Sequence, residues 1–264
     1  MKYTLLFLLV LAACAQQPAA PPKRDDQVVM SVLYMQRAAE YKALCFQAYS
    51  LAKVRVAAAL RARGGHRLAV VTDLDETALD NSKEEAYLIA HNMTYSDAHF
   101  GLWVRREEAD AVPGAVEFFN WVNGLKRRVD IFYISNRQDS LMVPTWHNLQ
   151  KLGFPQTTDT SHVMLALPGE HSKHRRREWI RAQGDTIVAL LGDNLTDFED
   201  GFDGLAKDSA ARTALVLQKQ ARFGDDYIVF PNAIYGDWEG ALYQGHYTDI
   251  DTEKAERIRL LRSW

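Results

Sequence analysis

The chain has 264 residues, a formal net charge of −3 at pH 7, 47% hydrophobic residues and 25% charged residues. This balance is typical of a soluble globular protein with a sizeable core. A slightly negative chain gives no indication of a nucleic-acid-binding surface, so we expect no nucleic-acid partner.

The first residues predict an exported protein. Lys2 precedes a short apolar run at residues 5–11. The run is too short to cross a bilayer, which needs roughly 20 apolar residues, and it suits a signal peptide. It ends in the tetrad Leu-Ala-Ala-Cys at residues 11–14, the pattern of a bacterial lipobox. An ordinary signal peptide with an Ala-x-Ala cleavage site at residues 13–15 is the alternative.

The lipobox predicts where the protein resides. Residues 1–13 are then the signal peptide, Cys14 carries the lipid, and residues 14–26 form a proline-containing tether. Several acyl chains on one cysteine suffice for stable anchoring. Residue 15 is Ala rather than Asp, which in a Gram-negative cell favours the outer membrane. We therefore expect a lipid-anchored protein of the bacterial cell envelope.

A helical segment is predicted next, at residues 27–65. Residues 28–63 carry one apolar stripe at alternating steps of three and four, and Gly64 with Gly65 ends the helix. The stripe consists of Tyr34, Ala38, Tyr41, Cys45, Ala48 and Ala52. With Cys14 lipidated, Cys45 has no disulfide partner and is expected to be a small buried residue.

The rest of the chain alternates between short apolar runs and helical patterns. Buried strands are predicted at residues 67–72, 129–134, 187–191 and, more weakly, 215–217. Helices are predicted at residues 115–126, 145–152, 174–182 and 249–264. This alternation indicates an α/β fold with a parallel central sheet flanked by helices. The last helix either packs on the domain or serves self-association as a homodimer.

Polar residues follow three of these strands. Asp73 and Asp75 come after the first strand, Ser135 after the second and Asp193 after the third, while Lys173 precedes a helix. Because the carboxyl ends of parallel strands share one edge of a sheet, we expect these side chains to lie close together.

Their chemistry suits phosphoryl transfer. Asp73 can attack phosphorus, and Asp75 can protonate the leaving oxygen and later activate water. Ser135 and Lys173 can hold the transferring oxygens. Asp73 and Asp193 together suit a hard cation that prefers oxygen ligands, so we expect Mg²⁺.

Taken in order, these motifs resemble the haloacid dehalogenase (HAD) superfamily. Within it, the chain resembles the class C nonspecific acid phosphatases, the outer-membrane lipoprotein 5′-nucleotidase family. The segments that carry this resemblance are the lipobox and residues 40–44, 73–82, 135–137 and 231–239. It implies a Rossmann-like (HAD-like) domain over residues 27–264, with a small cap at residues 81–113.

The resemblance also implies roles for the site residues. Asp73 is the nucleophile and a metal ligand, and Asp75 is the acid/base and lends its backbone carbonyl to Mg²⁺. Asp193 is the other protein ligand of the metal, and Asp197 supports it. Substrate or phosphate binding is assigned to Thr77, Ser135, Asn136, Arg137 and Lys173. Arg175 or Arg176 could partly substitute for Lys173.

Two aromatic residues are expected to define the substrate. The resemblance implies that Trp103 and Tyr235 sandwich a base, although Trp103 as a core residue is the alternative. We therefore expect Mg²⁺-dependent hydrolysis of small phosphorylated substrates, nucleoside 5′-monophosphates such as nicotinamide mononucleotide or AMP. A broad-range acid phosphatase and a non-catalytic surface lipoprotein that binds, for instance, haem are the alternatives.

Overall fold

The structure, a computed structural model, describes residues 27–62, 64–125, 128–158, 160–205, 208–246 and 248–264. The predicted signal peptide, the lipidation site Cys14 and the tether lie outside these described residues. The strands are, in chain order, β1 (Arg67–Thr72), β2 (Leu79–Asp80), β3 (Asp110–Ala111), β4 (Val129–Gln138), β5 (Val163–Ala166), β6 (Asp185–Gly192) and β7 (Tyr227–Val229). The α-helices are α1 (Val29–Arg37), α2 (Ala39–Ala62), α3 (Ser82–His91), α4 (Asp97–Val104), α5 (Ala115–Asn123), α6 (Met142–Leu152), α7 (His174–Ala182), α8 (Ser209–Gln218), α9 (Asp237–Leu242) and α10 (Ile250–Leu260).

A parallel five-stranded sheet with the order β5-β4-β1-β6-β7 forms the centre of the fold. The central strand β1 is buried from Leu68 to Thr72, as expected of a parallel strand covered on both faces. Thr72 at its end pairs with Tyr133 of β4 and with Leu191 of β6. The residues that follow these strands therefore meet at one edge of the sheet, as the sequence predicted.

Alternate residues of β1 pack into two hydrophobic clusters on opposite faces of the sheet. Leu68 and Val70 belong to the larger cluster, together with buried residues of α1, α2 and α5. Ala69 and Val71 belong to the smaller cluster, which includes Ile180 of α7. The predicted arrangement of a parallel sheet flanked by helices is confirmed.

The predicted single helix at residues 28–63 is wrong, because the chain bends at Ala38. That residue has an extended backbone conformation (ψ 131°) and separates α1 from α2. Met35 of α1 is buried, whereas Tyr34 of the predicted stripe is exposed. Helix α1 packs mainly against α3 and α2 packs against the sheet, so a straight helix could not serve both partners. Cys45 is buried and free, as predicted.

The strand predictions also need correction. Residues 215–217 lie in α8, which begins where the Asp208 side chain accepts a hydrogen bond from the Ala211 N–H at 2.9 Å. The sequence reading missed the edge strands β5 and β7, which have four and three residues. Short apolar runs do not distinguish a strand from part of a helix. Strand β4 continues through Gln138, so Ser135 lies within it.

The predicted cap region, residues 81–113, contains α3, α4 and β3. Strand β3 of this region pairs antiparallel with β2, the strand that follows β1 along the chain. A contact of 2.9 Å between Glu84 Oε1 and His99 Nδ1 links α3 to α4. Asn81, at the start of this region, contacts Asp75, so the region lies beside the carboxyl edge of the sheet.

The C-terminal helix α10 contacts α9, where Arg257 Nη2 donates to Glu239 at 2.6 Å. No residue of α10 is buried, so the choice between packing on the domain and self-association stays a prediction. Among the described residues, one helix, α2, is long and apolar enough to cross a membrane, with a mean hydropathy of 1.2. Its buried residues pack into the main core, so we interpret it as part of the domain.

Candidate active site

Asp73 lies immediately after the central strand β1. Its backbone N–H donates to the carbonyl oxygen of Leu191 at 2.9 Å, which extends the pairing between β1 and β6. The residue is 8% exposed, and the next side chain, Leu74, is completely buried. The sheet therefore holds the Asp73 carboxylate at its edge with a narrow opening to solvent.

Lys173, at the start of α7, is the basic residue that reaches Asp73. Its buried ammonium group forms ion pairs with Asp73 Oδ1 and with Asp197 Oδ1, the second at 2.6 Å. Burial alone would lower the pKa of Lys173, but the two carboxylates raise it above its ordinary value. Lys173 therefore stays protonated and places a positive charge beside the candidate nucleophile.

The three arginines that follow this lysine have other positions. Arg175 is exposed. Arg176 is buried and donates to the carbonyl oxygen of Ser135 at 2.6 Å. Arg177 is buried and donates to the carbonyl oxygen of Asp197 at 3.0 Å. Arg176 and Arg177 thus bind backbone carbonyl oxygens, whereas Lys173 is the basic residue that contacts the Asp73 carboxylate.

Three carboxylates converge beside Lys173. Asp73, Asp193 and Asp197 each offer an oxygen, and these atoms lie within 4.8 Å of one another. Burial and the charge of Asp197 raise the pKa of Asp193 to about 7, although Asn232 donates to Asp193 at 2.8 Å. Burial also raises the pKa of Asp73 well above its ordinary value, against the opposing charge of Lys173.

This donor set fits a hard divalent cation. Buried carboxylates this close repel one another, and a cation with a preference for oxygen ligands offsets that repulsion. Gly192 keeps the cluster compact, because a Cβ at that position would collide with the Asp197 carboxylate. The carboxylate of Asp75 is not part of this cluster. Its predicted contribution to the metal site is the backbone carbonyl oxygen, which stays a prediction.

The Asp75 carboxylate is held by donors from two parts of the fold. Arg137 donates through Nη2 to Oδ1 at 2.6 Å and through Nε to Oδ2 at 3.2 Å. Ser135 Oγ donates at 3.1 Å and Asn81 Nδ2 at 2.8 Å. Burial would raise the pKa of Asp75, but Arg137, Asn81 and Ser135 together lower it below its ordinary value. The carboxylate is therefore ionised and fixed in orientation.

Three of the residues predicted to bind phosphate have other contacts. Thr77 is completely buried, and its carbonyl oxygen accepts from the Tyr49 hydroxyl at 2.7 Å. The side-chain amide of Asn136 donates to the carbonyl oxygen of His171 at 3.0 Å. Arg137 faces the acid/base candidate, as described above. These contacts give no support to phosphate binding by the three residues, whereas Ser135 contacts the Asp75 carboxylate and Lys173 contacts the Asp73 carboxylate.

Trp103 does not have the exposure that base stacking needs. Its side chain belongs to the main hydrophobic cluster and is 8% exposed. Its indole N–H donates to Asn81 Oδ1 at 2.9 Å. A planar base would find little free ring surface here. The structure thus favours the core alternative for Trp103 over the predicted stacking role.

A different aromatic residue of the cap region, Tyr95, is exposed and is linked to the site through Phe100. Tyr95 is 59% exposed, and its ring lies 6.0 Å from that of Phe100, which in turn lies 5.5 Å from the Arg137 guanidinium. Partial burial of the hydroxyl, its hydrogen bond to Asp97 and the more distant charge of Asp75 raise the pKa of Tyr95. The exposed ring therefore stands near the acid/base candidate.

Tyr235 lies in the loop that also supplies Asn232, and it is half-buried against the main core. Sequence reasoning overlooked Asn81 and Asn232, the two amides that contact Asp75 and Asp193. Both lie in the segments that carry the family resemblance, residues 73–82 and 231–239. Their position in those segments was the available signal.

The family comparison agrees with this geometry. The family model described as HAD superfamily, subfamily IIIB (acid phosphatase) matches residues 9–238, which is most of the chain. The chain belongs to this family. The acid phosphatase is thus a phosphomonoesterase, and the predicted resemblance and enzyme class are confirmed.

Two solved structures are similar to this acid phosphatase. The class C acid phosphatase from Bacillus anthracis with tungstate bound is 39% identical, with a TM-score of 0.84. The match covers 90% of this chain and 98% of that chain. A second structure of the Bacillus anthracis class C enzyme is 38% identical over the same shares, 90% and 98%, with a TM-score of 0.83. This similarity confirms the HAD-like α/β fold.

Proposed function

We propose that this acid phosphatase transfers the phosphoryl group of its substrate first to Asp73 and then to water. The observation that carries the proposal is the ion pair between Asp73 and Lys173 at the sheet edge, with Asp193 and Asp197 beside it. A carboxylate next to a buried ammonium group combines a nucleophile with a cation for the phosphoryl oxygens.

Two displacement steps follow. In the first, Asp73 attacks phosphorus, the bond from phosphorus to the ester oxygen breaks, and that oxygen takes a proton from Asp75. In the second, water attacks phosphorus and gives a proton to Asp75, and the bond to Asp73 breaks to release phosphate. Asp75 must therefore alternate between two protonation states. Its contact with Arg137 favours the ionised state that the second step needs.

Ser135 and Lys173 are proposed to hold the phosphoryl oxygens. Both are buried donors at the catalytic carboxylates, and donors fixed in advance stabilise developing charge without reorganisation. The Bacillus anthracis enzyme was solved with tungstate, an oxyanion shaped like phosphate. That similarity supports an oxyanion site in this chain.

Mg²⁺ is the proposed metal. Asp73, Asp193 and Asp197 would hold it, since carboxylate oxygens are the ligands that this ion prefers. Bound there, the cation supplies positive charge that offsets the repulsion between an anionic nucleophile and a phosphate ester. Asn232 orients the Asp193 carboxylate through its hydrogen bond.

Nucleoside 5′-monophosphates are the proposed substrates. Tyr95 offers an exposed ring near Asp75, and Tyr235 lies in the loop that reaches Asp193. Two rings can stack on a base with little preference for its identity. In Tyr95→Ala and Tyr235→Ala, the KM for AMP should rise while that for p-nitrophenyl phosphate stays nearly constant. Equal effects on both substrates would instead favour a broad-range phosphatase, and Tyr34→Ala on α1 is the matched control.

We further propose that the enzyme acts in the bacterial cell envelope, anchored through a lipid on Cys14 in the outer membrane. The lipobox at residues 11–14 supports this proposal. Metabolic labelling with a fatty acid should mark the native chain and leave Cys14→Ser unlabelled. Labelling of the variant would exclude this anchor.

The decisive test of the reaction is Asp73→Asn. This change keeps the side-chain size and removes the nucleophile, so activity towards a panel of phosphate esters should disappear, as it should after treatment with EDTA. Asp225→Asn, at an exposed carboxylate, should retain full activity. Substantial metal-dependent activity in Asp73→Asn would refute the mechanism.

A further inference from the structure

The buried indole N–H of Trp103 is connected to Asp75 through a single side chain. Trp103 Nε1 donates to Asn81 Oδ1 at 2.9 Å, and Asn81 Nδ2 donates to Asp75 Oδ1 at 2.8 Å. Trp103 is 8% exposed and Asn81 is 1% exposed. Water therefore has little access to either hydrogen bond, and both should be well defined.

Trp103 determines which way the Asn81 amide points. An indole N–H can only donate, so the amide oxygen of Asn81 must face Trp103 and the amide NH₂ must face Asp75. Arg137 Nη2, also only a donor, lies 3.4 Å from the same amide oxygen and requires the same orientation. Without these donors, the amide could rotate and present its oxygen to the Asp75 carboxylate.

Asn81 is also held by the turn that follows Asp75. Its backbone N–H donates to Glu76 Oε1 at 2.8 Å, and its Nδ2 lies 3.3 Å from Glu76 Oε2. Glu76 is buried and has a positive φ of 55°, a conformation that needs such support in a non-glycine residue. Asn81 thus stabilises both the turn and the carboxylate.

Asp75 is therefore held from two sides. Arg137 and Ser135 approach it from strand β4, whereas Asn81 lies at the start of α3 and is itself held by Trp103 of α4. The cap region thereby contributes to the position of the acid/base, in addition to any contact with substrate.

We propose that Asn81 and Trp103 are positioning residues for proton transfer by Asp75. Asn81 orients the carboxylate, and Trp103 orients the Asn81 amide. This inference rests on the acid/base role of Asp75 in the proposed function. In this inference, Trp103 influences protonation of the leaving group and does not stack on a base.

The test compares substrates that differ in their need for a proton. The alkoxide of glycerol 3-phosphate must be protonated as it leaves, whereas p-nitrophenolate leaves readily without a proton. Trp103→Phe keeps an aromatic ring and removes the N–H, so it should lower kcat/KM for glycerol 3-phosphate about tenfold, the effect of one ordinary hydrogen bond. Its kcat/KM for p-nitrophenyl phosphate should change little, because kcat/KM reports only the steps up to departure of the leaving group and p-nitrophenolate needs no proton.

Asn81→Asp keeps the side-chain shape and replaces the donor to Asp75 with a carboxylate oxygen. It should lower kcat/KM for glycerol 3-phosphate about 100-fold, at the low end of general acid–base effects. Combined with Asn81→Asp, Trp103→Phe should cause no further loss, because its effect passes through Asn81. Trp121→Phe, the same change at a half-buried tryptophan of α5, is the matched control and should retain both activities.

Two results would overturn the inference. One is an equal loss of kcat/KM on both substrates in Trp103→Phe, and the other is a full additional loss of kcat/KM in the double variant. Asp75→Asn separates the inference from the proposed function on which it rests. If Asp75→Asn shows no dependence on the leaving group, the acid/base role itself fails. If only Asp75→Asn shows that dependence, the positioning role of Asn81 and Trp103 fails alone.

Discussion

Arg137 and Asp75 form a buried ion pair at the centre of the site, with Nη2 of the arginine 2.6 Å from Oδ1 of the aspartate. The Arg137 side chain is 2% exposed. The same guanidinium also donates to Thr145 Oγ1 at 3.1 Å. The arginine therefore serves the acid/base residue and the packing of α6 at the same time.

Replacing this arginine should cost stability. Arg137→Met leaves the partly buried Asp75 carboxylate without its cation, so the free energy of unfolding should fall by about 3 kcal/mol, measured by urea denaturation. Arg106→Met is the matched control, because the Arg106–Glu108 pair is exposed and should contribute under about 1 kcal/mol. Similar losses of unfolding free energy in both variants would mean that the Arg137–Asp75 pair contributes no more than an exposed ion pair.

Lys173 should be far more important for catalysis than the arginine two positions later. Lys173→Met removes the ammonium group beside Asp73, so kcat/KM for p-nitrophenyl phosphate should fall at least about 100-fold. Arg175→Met, at an exposed position of the same helix, should leave it nearly unchanged. Lys173→Arg should not restore activity, because a planar guanidinium does not replace a compact ammonium group. A larger loss of kcat/KM in Arg175→Met than in Lys173→Met would assign this role to Arg175 instead.

Metal binding should be visible in stability as well as in activity. Mg²⁺ added to protein treated with EDTA should raise the melting temperature, because a ligand at 100 times its Kd stabilises the folded state by about 2.7 kcal/mol. Asp193→Asn removes one carboxylate of the cluster and should abolish most of this rise. Asp225→Asn, at an exposed carboxylate, should keep it. A rise that persists in Asp193→Asn would place the metal elsewhere.

Asp185, at the opposite end of the sheet, should make stability depend on pH. Burial raises the pKa of Asp185 above its ordinary value, against the charge of Arg67, and its buried oxygens have no hydrogen-bond donor among the described residues. The folded state thus binds this proton more tightly than the unfolded chain. The resulting stability is complete below the unfolded pKa of about 3.9 and is lost as pH rises through the folded pKa.

Asp185→Asn removes the carboxyl group and, with it, this loss of stability at rising pH. The variant should gain stability relative to the native protein at pH 7 and show little gain near the unfolded pKa of about 3.9, as measured by urea denaturation across that range. Asp225→Asn, at an exposed carboxylate, should show no such trend. A variant that is destabilised at pH 7 would mean that the Arg67 ion pair outweighs the burial of the carboxylate.

The centre of the sheet could be predicted from the sequence because burial on both faces leaves a continuous apolar run. Strand β1 and helix α7 begin and end at the predicted residues. The edge strands β5 and β7 could not be predicted, since each is short and has one neighbour in the sheet. The break at Ala38 depends on a change of packing partner, which a periodic stripe does not show.

Within the site, sequence order located the carboxylates and Lys173, because strand ends of a parallel sheet converge. It could not reveal their contacts. Arg137 binds Asp75 across 62 positions of the chain, and a guanidinium near a phosphate site is equally typical of substrate binding. The burial of Trp103 likewise depends on tertiary packing, which its position in the cap region did not indicate.

The central place of β1 in the sheet also determines when the enzyme can first act. Ser135 and Asp75 are 60 positions apart, and Lys173 and Asp73 are 100 positions apart, so the site is assembled only after long stretches of chain have closed into loops. An unfolded chain therefore has no phosphatase activity. On the proposed export route, the protein would pass the nucleotide pool of the cytoplasm without consuming it, and hydrolysis would begin only once the sheet had closed on the far side of the membrane.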